Sequence, residues 1–122
     1  MSYKAKFILL LVVVLIGFGF FLNWARGRAG RTYDGTAQWP GDKSEFFAAG
    51  KCSASPWWLE TNSGATYEIR RRWEALGRPA AVRVIFVGDV TSLGRYGSNG
   101  RYWREVRPQT VIDVLALTAG CQ

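Results

Sequence analysis

Eighteen consecutive residues, Phe7–Trp24, carry no charge and a single polar side chain, Asn23. As a helix rising 1.5 Å per residue, this run is about 27 Å long, close to the roughly 30 Å of hydrocarbon in a bilayer. Lys4 and Lys6 precede it, and Arg26, Arg28 and Arg31 follow. Tyr3 and Trp24 stand at its two ends, where amphipathic rings favour the headgroup layer. The pattern predicts a transmembrane anchor over residues 1–24, with Tyr3, Lys4, Lys6, Trp24, Arg26, Arg28 and Arg31 at the membrane interface. A secretory signal shares the basic tip, but its apolar region is usually about 7–15 residues long. The nearest small-residue pattern for cleavage, Gly27-Arg28-Ala29, is crowded by arginine. An uncleaved signal-anchor is therefore expected. No cysteine near the end of the run suggests a lipoprotein, and no acidic residue near its start suggests a pilin leader.

The formal charge of +7 invites a nucleic-acid reading until its position is considered. Residues 1–31 hold five of the sixteen basic side chains and none of the nine acidic ones. Residues 32–122 carry eleven basic against nine acidic, a net of +2. The basicity belongs to the flanks of the anchor, where it can meet anionic headgroups. The positive-inside count is a near tie between the two flanks and does not fix orientation.

The chain has two cysteines, Cys52 and Cys121, and no histidine. That composition leaves no ligand set for a structural zinc site, and no metal or cofactor is expected. A Cys52–Cys121 disulfide would close a loop of about 70 residues, worth about 4 kcal/mol in the chain-entropy treatment. Two separate buried thiols are the alternative. The disulfide is favoured because it pins a C-terminus that would otherwise fray. It implies an oxidising compartment, and so an inner-membrane protein with its domain on the periplasmic or extracellular side.

Ala25–Lys43 is rich in glycine and polar residues and is expected to be a linker, leaving residues 44–122 as a small domain. Within it, Phe46–Ser53, Trp57–Thr61 and Ala65–Ile69 have strand character. Asn62-Ser63-Gly64 between the last two suggests a hairpin loop. Arg70–Leu76 suits a short helix stopped by Gly77 and Pro79. Ala80–Val87 is the clearest strand, with Val82, Val84 and Phe86 alternating onto one side. Asp89–Gly100 is a glycine-rich loop, and Pro108 separates the strand-like Tyr102–Arg107 and Thr110–Leu117.

Three strands, a short helix and two further strands resemble the OB-fold, a five-stranded partly open barrel. The resemblance covers about residues 44–118 and rests on element order. The stretch Trp58-Leu59-Glu60-Thr61, with Gly64 and Tyr67-Glu68-Ile69, is similar to hairpins of small bacterial envelope domains of this kind. The interruption at Pro108 departs from the OB pattern and bears on whether the barrel closes.

If Thr61 pairs with Ala65, the hairpin puts Leu59 opposite Tyr67 and Trp57 opposite Ile69 on a core face. Trp58 and Glu60 then lie on the outer face. The resemblance implies ligand binding on the face of strands two and three and the neighbouring loops. The candidate binding residues are accordingly Trp58, Glu60, Arg95, Tyr96, Arg101 and Trp103. Aromatic rings beside arginine suit stacking on sugars or bases and contact with phosphates. Gly94-x-x-Gly97-x-x-Gly100 lacks the lysine and hydroxyl of a phosphate-binding P-loop and is expected to be a flexible loop. Arg70-Arg71-Arg72 is expected to be a solvated helix face paired with Glu68 and Glu74.

Without histidine the usual nucleophile–base pairs cannot be assembled, and no catalytic activity is expected. The leading expectation is a membrane-tethered binding or scaffolding module, partnered by an envelope protein, a glycan or a lipid headgroup. One alternative is an accessory subunit of a larger membrane complex whose anchor is the working part. Another is a tethered nucleic-acid-binding domain of OB type, against which the small domain charge weighs.

Overall fold

The structure is a computed structural model that describes residues 2–121. Met1 and Gln122, the outer bounds of the expected anchor and domain, lie outside the described residues. Helix α1 (Tyr3–Ala25) begins at Ser2, whose Oγ accepts the Ala5 N–H at 3.2 Å. Its 23 residues extend about 34 Å, none of them is buried, and it is long and apolar enough to cross a membrane.

Only Arg26 and Gly27 separate α1 from strand β1 (Arg28–Gln38), so most of the stretch expected as a linker is a strand. Its sequence hides this because its buried end, Gly35–Gln38, carries almost no apolar side chain. Gly35 packs where a Cβ would lie 2.7 Å from the Phe46 ring and against the Phe47 carbonyl. The phenylalanine opposite fills the space, so β1 contributes backbone rather than hydrophobic bulk.

Strands β2 (Glu45–Ala48), β3 (Trp57–Leu59), β4 (Ala81–Val90) and β5 (Glu105–Leu117) complete the sheet. The strand order is β1-β2-β3-β5-β4, and β4 pairs back onto β1, so the sheet closes on itself. All pairings are antiparallel except β3 with β5. Pro108 does not split the last strand. It sits inside β5 opposite Gly88, at a shift in register, where a residue without an N–H is tolerated. The first expected strand, Phe46–Ser53, ends at Ala48 because Ala49 and Gly50 turn the chain through positive φ.

The expected hairpin is absent. Ala65–Ile69 belongs to helix α2 (Gly64–Ala75), which also contains most of the shorter helix expected at Arg70–Leu76. Ser63 caps α2 rather than turning a hairpin, its Oγ accepting the Thr66 N–H at 3.1 Å. Thr66 and Ile69 are fully buried and Trp73 is half-buried, a helical spacing, whereas Tyr67 is 70% exposed. The proposed facing of Leu59 on Tyr67 and Trp57 on Ile69 therefore does not occur. Trp58 instead lies opposite Glu45 on one side and Glu105 on the other. Ser63→Ala should lower domain stability by about 1 kcal/mol, the usual value of a lost N-cap, measured by denaturant unfolding.

The alternation along β4 holds: Val82, Val84 and Phe86 are fully buried and pack with Phe46, Leu59, Ile69 and Val106. Arg83 faces outward and makes a two-pronged contact with Asp34, at 2.9 and 2.6 Å. That contact holds the Asp34 carboxyl below its ordinary range. Cys52 and Cys121 are joined in a disulfide spanning 69 residues of chain, with a Cα–Cα distance of 5.1 Å. Gln38 grips the same end of the chain: its amide donates to the Cys121 carbonyl at 2.9 Å and accepts the Cys121 N–H at 2.8 Å.

Candidate functional site at the junction of helix and sheet

The residues singled out on the outer face are only partly brought together. The loop after β4 folds back on itself: Tyr96 and Tyr102 exchange backbone hydrogen bonds at 2.8 and 3.2 Å. This lays Gly97 over the Trp58 ring, at a distance where any side chain would collide. Trp58 is half-buried and packs on Tyr102, ring centroids 5.2 Å apart, so it is a wall and not an open platform. Burial, then the hydrogen bond to Glu45 at 2.9 Å, pushes the Tyr102 phenol up and keeps it a donor. Tyr96 spends its hydroxyl on the Ser92 carbonyl at 2.9 Å. Arg95 and Arg101 are exposed, and Glu60 accepts the Asn62 N–H at the start of the turn into α2. Trp103 is 65% exposed and lines a small cavity with Arg101, Tyr102 and Glu45.

Trp103 also adjoins the foot of α1. There Arg104, which sequence reasoning passed over, holds helix and sheet together. Its guanidinium donates to the Thr91 carbonyl at 2.8 Å, to the Arg26 carbonyl at 3.2 Å and to the Trp24 carbonyl. It also lies 6.0 Å from the centre of the Trp24 ring. Helix C-termini leave carbonyls without partners and carry partial negative charge, so a cation there satisfies both deficits. Leu93 adds a second tie, its N–H donating to the Ala25 carbonyl at 3.0 Å. Nothing in the sequence marks Arg104, because its partners are backbone oxygens, 13, 78 and 80 residues away.

Two neighbouring cavities flank this joint, the two arms of one candidate groove, with Trp24, Trp57 and Arg104 in the walls of both. The apolar arm, about 500 Å³, is lined by Phe21, Trp24, Pro56, Trp57, Leu93 and Trp103, with Ser55 and Arg104. The cationic arm, about 380 Å³, is lined by Arg28, Arg31, Thr32, Tyr33, Val90 and Arg104, and shares Trp24 and Trp57 with the first. Neither arm has an acidic lining residue. Burial, helped by the nearby Asp89 charge, raises the Tyr33 phenol although Arg31, Arg28 and Arg104 pull it down, and its buried hydroxyl has no hydrogen-bond partner among the described residues. The backbone fixes the arginines' placement. Gly30, at φ +64°, forms an irregularity in β1 between Arg28 and Arg31, and its N–H donates to Asp89 at 2.8 Å.

The arginine run on α2 lies away from this joint. Arg71 and Arg72 both pair with Glu68, at 2.8 and 2.9 Å, while Glu74 pairs with Arg78. Arg70 lies over the touching rings of Trp39 and Trp73, 5.7 and 5.8 Å from their centres. Those contacts account for the run as a packed helix surface. No family model, curated protein or solved structure matches this chain, so its function rests on the residues and geometry just described.

Proposed function

We propose that this chain is a single-pass membrane protein whose OB-fold-like barrel stands at the outer surface of the inner membrane. There it serves as a non-catalytic binding or scaffolding module. The observation that carries this reading is the joint itself. A helix of membrane-spanning length passes into the sheet through two residues and is fastened there by Arg104. A domain attached so tightly to a span would lie on the bilayer surface rather than at the end of a flexible tether. The disulfide supports an oxidising compartment and hence an extracytoplasmic domain. The closed strand order with one parallel pair, and a helix between β3 and β4, supports the OB-like assignment.

The test is mass tagging of thiols in intact cells, with and without prior reduction, on a chain that resists alkaline extraction from membranes. Tagging of Cys52 and Cys121 after reduction only is the expected result. Tagging without reduction would place the domain in the cytoplasm and overturn the reading. Replacing residues 7–20 with an unrelated apolar sequence, which keeps Phe21 and Trp24 at the joint, should preserve partner capture by the domain. Loss of capture would move the working part to α1, as in an accessory subunit of a membrane complex.

A further inference from the structure

We infer that the two-armed groove at the foot of α1 binds one anionic phospholipid, its phosphate on Arg28, Arg31 and Arg104 and its acyl portion along Phe21, Trp24 and Trp103. This rests on the reading of α1 as a membrane span. The depth follows from that reading, because Phe21 and Trp24 occupy the last turns of α1 and so lie where hydrocarbon gives way to headgroups.

The chemistry of the lining selects the ligand. Three arginines line the cationic arm, and among the described residues neither Arg28 nor Arg31 forms an ion pair; the nearby Asp89 is not in the lining and accepts from the Gly30 N–H and the Gln109 amide instead. Arg104 uses three of its five N–H groups on carbonyls, which leaves two for an anion. Planar guanidiniums match phosphate oxygens two at a time. A soluble phosphate would satisfy this arm but leave the adjoining apolar arm wet. That arm shares Trp24, Trp57 and Arg104 with the first as common walls, and it is bordered by the exposed Trp103. A ligand with a phosphate at one end and hydrocarbon at the other fills both.

The experiment uses the full chain, extracted in mild detergent and exposed to phosphatidylglycerol or phosphatidylcholine, with bound lipid counted by native mass spectrometry. The wild-type chain should retain phosphatidylglycerol in preference. Arg28→Gln/Arg31→Gln leaves Arg104 in place, so α1 stays seated. It should reduce that preference about 30-fold, the combined surface attraction of two basic side chains. Trp103→Ala should weaken retention of both lipids without changing their ratio. Equal retention of the two lipids by the wild type, or an unchanged preference in the double arginine variant, overturns the site. Displacement of the lipid by glycerol 3-phosphate at equal concentration overturns the acyl arm, and with it a lipid as the ligand. A chain that washes from membranes in alkali overturns the span and the lipid site together. An integral chain without lipid preference overturns only the site.

Discussion

Reduction of the Cys52–Cys121 bond, or its removal by Cys52→Ser/Cys121→Ser, is expected to destabilise the domain by about 4 kcal/mol. The bond closes a loop of 69 residues, and that chain gains the lost freedom back in the unfolded state. For a domain of this size the melting temperature should fall on the order of 20 °C. The near-ultraviolet circular dichroism of its tryptophans, followed on heating in detergent with and without reductant, measures this. The size of the shift also separates two ways of holding the C-terminus. Gln38 grips both backbone groups of Cys121, and this contact is buried. A fall of only a few degrees would mean that the Gln38 clamp holds the terminus without the bond. A large fall means that the clamp depends on the covalent link to bring Cys121 within reach.

The parts of the fold legible in the sequence are those written as periodic side chains. Val82, Val84 and Phe86 alternate because β4 buries one face, and α1 is apolar on every side because nothing in the protein covers it. The segment Arg28–Gln38 was illegible for the opposite reason. Its core-facing position at Gly35 is empty so that the Phe46 ring can approach, and a missing side chain leaves no pattern. The stretch Thr66–Ile69 was ambiguous in period. Tyr67 and Ile69 fit an alternation of two, while Thr66, Ile69 and Trp73 fit a helix. The serine at position 63 decides between them by capping the backbone.

The candidate site divides along the same line. Trp24, Arg28 and Arg31 drew notice from their place beside the apolar run, and all three line the cationic cavity. Trp103 was readable as an exposed aromatic beside Arg101, with which it lines a cavity, but its place at the foot of α1 was not. Trp58 lost its role as a platform to Gly97, whose approach depends on the fold-back of the loop through Tyr96 and Tyr102. Arg104 could not have been found at all, because a side chain that binds carbonyl oxygens has no partner side chain to reveal it.

Arg104→Ala is expected to loosen α1 from the sheet by about 3 kcal/mol while leaving the sheet folded. The guanidinium makes charge-assisted bonds to three carbonyls, and removing it leaves the part-buried Thr91 oxygen without this donor. The remaining tie, Leu93 to Ala25, is a single backbone hydrogen bond. The segment between Trp24 and Arg28 should then open more often. Tryptic cleavage after Arg26 and Arg28 should accelerate about a hundredfold when opening precedes cleavage. Arg104→Lys keeps the charge but places one ammonium where three carbonyls diverge, so it should recover only part of the protection. The melting of the sheet, whose core of Phe46, Phe86 and Val106 includes no residue of α1, should shift far less than the cleavage rate. An unchanged cleavage rate in Arg104→Ala would show that α1 is not seated by Arg104. The domain would then hang from a flexible neck, and the groove beside Trp24 would lose its fixed walls.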